Sequence, residues 1–490
     1  MPLRRLSPCL AVLLVVAAAC APSGPAEPAV ELTTIDGLGS LNFPNSGAAE
    51  AQEPFLRGVL LMHSFEYDPA ATAFREAQEI DPDFALAYWG EALTYNHPVW
   101  DQRDMEAGQT ALGRYAPTAE ERLAKVPSDR ERMYMQAAET LYGDGEKSDQ
   151  DRAYAQIMER LSAAYPDDHE ARAFHALALL GTSGGERDFT IYMQAAATAG
   201  PVFEANPDHP GAAHYLIHSF DDPVHAPLGL PAARLYSEIA PGASHAQHMT
   251  THIFVAMGMW DDVVSGNIRA RDTQDGQRAE NGNDGNFCGH YSSWLQYGHL
   301  MLGEADEAEV LMDLCYQGMA ADPSGGGRSY FATMRARQIL DTEDWDLAER
   351  WHINFQDEDL GTVTPFTNAF AALQKGAAAP ARAFLASVVD PDEDRVQIYV
   401  DQIAGLLAIH DGDIEAGVAR LQAAAAREDS MPFAFGPPSI VKPTFELLGE
   451  ALLGLDRFGD AHEAFRTAVA RTPGRTLSVR GLENSAASGG

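Results

Sequence analysis

Seven of the chain's 16 histidines lie between His209 and His252, in HPGAAHYLIHSFDDPVHAPLGLPAARLYSEIAPGASHAQHMTTH. Within that stretch His214 and His218 form one H-x-x-x-H pair, and His248 and His252 form another. Residues four apart share one face of a helix, one turn from each other. Imidazole is the commonest protein ligand for zinc, copper and iron, and an i, i+4 pair can grip one ion from a single helix. His214, His218, His248 and His252 are therefore the candidate metal ligands. Asp221 and Asp222 stand one turn beyond His218, where a carboxylate can join a ligand set or orient an imidazole. The second pair follows the first by 34 residues, so whatever element carries the first pair is repeated under the second.

Periodicity identifies that element. From Glu50 onward apolar residues recur at helical spacing and no Val/Ile-rich alternating run appears, so helices are expected and strands are not. Near the start, Gly58 is followed by Ala70, Phe74, Ala77 and Pro82. Near the end, Gly449 is followed at the same offsets by Ala461, Phe465, Ala468 and Pro473. Small residues let two helices cross closely, an aromatic fills the seam and a proline stops the second helix. Gly405, Gly417, Leu421 and Ala424 form a weaker copy. The pattern resembles the tetratricopeptide repeat (TPR), whose period is 34 residues. It predicts an all-α solenoid of about eight or nine TPR-like hairpins over residues 49–480, with insertions at 98–130, 181–189 and 275–287 and a disordered tail at 481–490.

The segments AYWGEALTYNHPVW (87–100), HPGAAHYLIHSFDDP (209–223) and HAQHMTTHIF (245–254) are similar to those of histidine-rich bacterial TPR-repeat proteins. That resemblance spans roughly residues 50–482 and brings no established activity. What it implies is placement: the first helix of each repeat lines a concave groove. Aligning Pro207 with Pro241 then aims His214, His218, His248 and His252 into one hollow. His245 lies a further turn along the same stripe, and His290 opens the following helix. His63 and His97 are also 34 residues apart and are counted, with His245, His290, Asp221 and Asp222, as candidate ligand-binding residues. Tyr88, Trp89 and Trp100 read as seam or core. His225 sits in a loop, and His352, His410 and His462 are isolated.

The termini and the charge suggest a setting. Arg4 and Arg5 followed by the apolar run Leu10–Ala19 read as a signal peptide over residues 1–19, too short to span a bilayer. Cys20 directly after Ala17-Ala18-Ala19 resembles a bacterial lipoprotein signal and implies lipid attachment there. Residues 20–48 would be a flexible tether. The expected location is the cell envelope, with the membrane contacted through the lipid anchor alone. A formal net charge of −37 repels phosphate backbones and argues against nucleic-acid partners. In an oxidising envelope Cys288 and Cys315 are free to pair.

Three function classes follow. The leading one is an envelope binding protein that holds a protein or small-molecule ligand in a histidine-rich groove, with or without a copper, iron or zinc ion. The second is a metal-dependent enzyme using the four histidines as ligands, with His245 or a neighbouring Asp as the acid–base group. The third is a structural scaffold. Two His pairs on packed helices are similar to the ligands of dinuclear copper proteins, yet those need about three histidines per metal and a different bundle, so the likeness is one of ligands only. H-E-x-x-H is absent, so no zincin protease is indicated, and GTSGGERD lacks the lysine and strand–helix setting of a phosphate loop.

Overall fold

The computed structural model describes residues 32–280, 282, 287–322, 327–353, 361–388 and 393–488. Among them are 23 α-helices and two pairs of very short strands. Most helices follow one another as hairpins, and each hairpin packs on the next to form an all-α solenoid. Residues 98–130, expected as an insertion, supply helices Met105–Tyr115 and Ala119–Lys125, the first of which packs against Ala85–Leu93.

The two matching repeat patterns are built alike. Phe74, fully buried, lies against both Gly58 and Gly90; a Cβ on Gly90 would come within 2.4 Å of its ring. Phe465 lies between Gly449 and Gly481 in the same manner. The glycines let each ring enter a seam that a methyl group would close. Gly481 belongs to helix Thr476–Ser488, so the expected disordered tail is instead, as far as Ser488, a final helix covering the last hairpin. Its small polar sequence disguised a helix whose role is to supply backbone close to Phe465.

The expected tether is also corrected where it is described. Thr33–Ile35 pairs antiparallel with Gly39–Leu41, and Leu38, Leu41 and Phe43 are buried. This hairpin staples two repeat ends. The Ser40 amide donates to the Asp208 carbonyl (3.0 Å), the Asn206 side chain donates to the Ser40 carbonyl (2.9 Å), and the Gly242 amide donates to the Gly37 carbonyl (2.9 Å). Asn206 and Gly242 stand just ahead of the helices that carry the histidine pairs. The second strand pair, Asn96–His97 with Gln102–Arg103, is a turn between helices. Both are too short to give the alternating run that signals a strand. The signal segment and Cys20 lie outside the described residues, and no described helix is long and apolar enough to cross a membrane.

Further along, the solenoid closes on itself. The Trp260 indole donates to the Gly474 carbonyl (2.8 Å). Fully buried Arg475 donates to Glu446 (2.8 Å) and the Tyr297 hydroxyl (3.3 Å), and pairs with Asp341. Arg187 donates to the carbonyls of Phe433 and Ala434, bringing the 431–443 segment against the middle of the chain. Cys288 and Cys315 form a disulfide.

The staple can be tested alone. Asn206→Ala leaves the buried Ser40 carbonyl without its donor and is expected to cost about 1–3 kcal/mol. The urea unfolding midpoint should fall accordingly. An unchanged midpoint would mean that the N-terminal hairpin does not hold the repeat ends.

Candidate metal centre

Three helices carry the centre: Pro210–Phe220, Ser244–Met257 and His290–Leu302. Each starts after a turn and is the first of its hairpin. Pro210 occupies the first turn, where its missing N–H costs nothing, and His209 caps that end through a bond from the Ala212 amide to Nδ1 (3.1 Å). Below, these are the first, second and third site helices.

The two pairs, expected to serve one or two metals, fall into separate clusters. His214 and His218 on the first site helix are joined by His245, from the start of the second. His248 and His252, further along the second, are joined by His290, from the start of the third. In each trio one potential ligand atom per residue lies within 4.8 Å of the others. The rule is repeated: an i, i+4 pair from one repeat and a single imidazole from the N-terminal turn of the next. His245 and His290, read from the sequence as ligand contacts, thus complete the two sets. The trios adjoin, with ring centroids of His218 and His252 6.2 Å apart and those of His245 and His248 6.3 Å apart.

On three of the rings hydrogen bonding settles which nitrogen is free. His214 Nδ1 lies 2.7 Å from the His63 carbonyl, which can only accept, so Nδ1 carries the hydrogen. The Asn267 amide nitrogen donates to the Val263 carbonyl (2.9 Å), which turns its oxygen toward His248 Nδ1 (2.8 Å). His252 Nδ1 donates to Asp221 (2.7 Å). Each of these bonds hands the lone pair to Nε2. The Nε2 atoms of His214, His218 and His245 are buried and have no partner. Those of His248 and His252 face each other at 3.2 Å, a contact relieved by a shared proton or by a cation bound to both.

Burial drives the rings toward their neutral form. Desolvation pushes His214, His218, His245 and His248 well below the ordinary imidazole value, and neighbouring histidines add to it. Desolvation, with His252 beside it, lowers His290 to about 3. Neutral imidazoles with a free Nε2 lone pair, as on His214 and His248, are what a metal ion requires of its ligands.

One strained residue marks the site. Phe65 has φ 55°, a left-handed conformation that a bulky side chain rarely adopts. Its ring packs on His214 (4.2 Å), His245 (5.4 Å) and His218 (5.8 Å). The next residue, Glu66, accepts from the Ser244 hydroxyl (2.9 Å) and the His245 amide (3.1 Å), which ties the start of the second site helix to the first hairpin. Beyond the rings lies a cavity of about 690 Å³, bordered by His218, His245, His252 and His290.

Other expected residues fall elsewhere. His63 lies in a separate, satisfied network: Nδ1 accepts from the Tyr215 hydroxyl (2.8 Å) and Nε2 donates to Glu170 (2.8 Å), whose other oxygen accepts from His209 (3.0 Å). Although His63, Glu170 and His209 also cluster, every ring nitrogen among them is engaged. His97 bonds the Thr94 carbonyl and stacks on Tyr67 (4.0 Å), away from both trios. Neither residue belongs to a trio, although His97 also packs on Trp100 (5.9 Å). Asp222 is taken up by its own loop, accepting from the Val224 and His225 amides and from the His225 ring. Asp221 orients His252 and belongs to neither trio. Trp89 is core, whereas Trp100, expected there too, is 45% exposed. Sequence reasoning missed Phe65, Glu66, Asn267 and Glu170, which belong to no repeated spacing.

No protein-family model matches the sequence, and no curated protein matches it. Several solved structures are similar in outline. The yeast Tom70 crystal structure is 11% identical, over 90% of this chain and 96% of that one, with a TM-score of 0.34. A monomeric mutant of IFIT1 with Gppp-AAAA is 12% identical, over 89% and 95%, at 0.37. The APC/C hetero-tetramer Cut9–Hcn1 is 12% identical, over 90% and 78%, at 0.33. These similarities concern helical-repeat architecture and no more.

The Glu170 network predicts a pH effect. Burial alone would raise the Glu170 carboxyl above its ordinary 4.5, but His209 and His63 outweigh it and hold it far below. Its stabilisation is therefore present above about pH 4.5 and lost as the pH falls toward the folded value. His63, lowered from 6.5 by burial, must stay neutral in the fold, so acidification below that pH works in the same direction. Glu170→Gln should lower stability at pH 7 by about 2–4 kcal/mol. It should also flatten the pH dependence between pH 4.5 and 3, read from urea midpoints. Parallel wild-type and variant curves would contradict this.

Proposed function

We propose that the chain is a helical-repeat binding protein built around a pair of transition-metal ions, one in each histidine trio. The observation that carries this is the set of bare, buried Nε2 atoms on His214, His218 and His245. Leaving three such acceptors dry and unpartnered costs about 1–3 kcal/mol each, and one cation satisfies all three. The facing Nε2 atoms of His248 and His252 make the same demand in the second trio.

The donor set narrows the metal. Each trio is all nitrogen and uncharged, whereas non-haem iron sites typically include a carboxylate. Copper or zinc is the better match. Three protein ligands leave a coordination position open, as in zinc sites that handle a substrate rather than a fold. The adjoining cavity supports the same view and favours an exchangeable ligand over a purely structural ion. An envelope location and lipid attachment at Cys20 remain part of this proposal; the acidic, disulfide-containing chain is compatible with both.

Metal analysis of protein incubated with copper(I), copper(II) or zinc and then desalted should give two ions per chain. His214→Ala should retain one, and His214→Ala with His248→Ala none, with helicity unchanged by circular dichroism. Wild-type protein that retains no stoichiometric metal would overturn the reading. Asp221→Asn should weaken one ion only, by about 10–100-fold, because Asp221 supports His252 alone. Equal weakening of both ions would show that the trios are not separate sites.

A further inference from the structure

We infer that the cavity beside the trios binds a small, uncharged aromatic alcohol of the phenol class, its ring against the aromatic wall and its hydroxyl donating to Glu66. This names the ligand class of the proposed centre and rests on that reading for its biological use, although the binding itself is testable without metal.

The lining decides the chemistry. Phe65, Trp100, Tyr291, Tyr330 and Phe435 contribute faces or edges of aromatic rings, and four imidazoles form the floor. At about 690 Å³ the space falls within the ~300–1,000 Å³ typical of small-molecule sites. Among the described residues bordering it there is no lysine or arginine, and in the metal-stripped protein a phosphate or carboxylate entering it would meet Glu66. A flat π-system gains instead from stacked and edge-to-face contacts.

Glu66 supplies direction. It is half-buried and borders the cavity. Its Oε1 accepts from the Ser244 hydroxyl and the His245 amide, and its Oε2 is the acceptor offered to a ligand hydroxyl. Trp100 and Phe435 stay partly exposed, at 45% and 37%. They come from opposite parts of the chain, a 3-10 turn at Pro98–Trp100 and the 431–443 segment clamped by Arg187. An aromatic entrance assembled from two segments distant in sequence marks a way in for an aromatic guest. The Arg187 guanidinium lies 4.2 Å from the Phe435 ring and fixes one side of it.

The experiment is calorimetric titration of metal-stripped protein with 4-methylphenol, benzoate and cyclohexanol. One equivalent of 4-methylphenol should bind, with benzoate and cyclohexanol at least about tenfold weaker, since one lacks charge complementarity and the other a π-face. Trp100→Ala and Glu66→Gln should each weaken 4-methylphenol about tenfold. Because Glu66 also ties the second site helix, Trp100→Ala serves as the independent arm; it should leave metal stoichiometry unchanged. The inference is overturned if 4-methylphenol does not bind, if benzoate binds as well, or if both variants bind as wild type. Phenol binding by a chain that holds no metal would sink the proposed centre and leave this site standing.

Discussion

Six crowded imidazoles, four of them buried, are held in a single arrangement because at least three give their Nδ1 hydrogen to a fixed acceptor. The His63 carbonyl takes that of His214, Asn267 that of His248 and Asp221 that of His252. Without those acceptors the rings could rotate or exchange tautomers, and the Nε2 lone pairs would no longer converge. A hydrogen bond of this kind contributes only about 1 kcal/mol net to stability. Its larger effect is on chemistry, since it decides which nitrogen is nucleophilic and where that nitrogen points. The fold carries the cost of burying the rings, and the three acceptors determine what that burial presents.

Those acceptors come from different repeats, so the centre depends on repeat phase. His63 ends the first hairpin's leading helix, Asn267 sits on Trp260–Glu280, and Asp221 follows the first site helix. A rotation of one hairpin by a fraction of a turn would separate ligand from support. The N-terminal strand pair counters this by bonding to Asp208 and Gly242 together, bridging the turns before the first two site helices. At the other end, buried Arg475 binds Tyr297 on the third site helix to the last hairpins. A solenoid held only by neighbour contacts can flex cumulatively. Here a link between remote segments lies at each side of the site.

Legibility in the sequence followed repetition. The seams of Phe74 and Phe465 were readable because the same small residues recur at the same offsets, and the histidine pairs because they recur at 34. The trios were less so. Their third members, His245 and His290, were seen, but their spacings from the pairs differ, and only helix packing decides that one joins backward to His214 and the other to His248. What repetition cannot encode was missed. Glu66 and Phe65 act through a left-handed turn, and Asn267 through the far helix of a hairpin. The terminal helix was hidden because it has few large apolar residues; its contribution is a glycine. That His63 and His97 fall outside the trios has the same origin, since a shared period reports position in a repeat and not the surroundings of the side chain.

The third cluster explains why spacing alone could not separate ligand from scaffold. His63, Glu170 and His209 cluster as closely as either trio and are all buried, whereas His245 is half-buried and His290 exposed. Yet the Tyr215 hydroxyl, the carboxylate and the Ala212 amide leave no lone pair idle there. Adding a cation would displace bonds already made. In the first trio the same residue type ends in buried nitrogens that nothing in the chain addresses, and in the second two Nε2 atoms meet only each other. The two arrangements touch through one atom: the carbonyl of His63 anchors His214, while the His63 ring is locked by Glu170. The satisfied network thus fixes the backbone from which the unsatisfied one is aimed. Loosening it should disturb the centre through geometry, although none of its three ionisable side chains is a ligand.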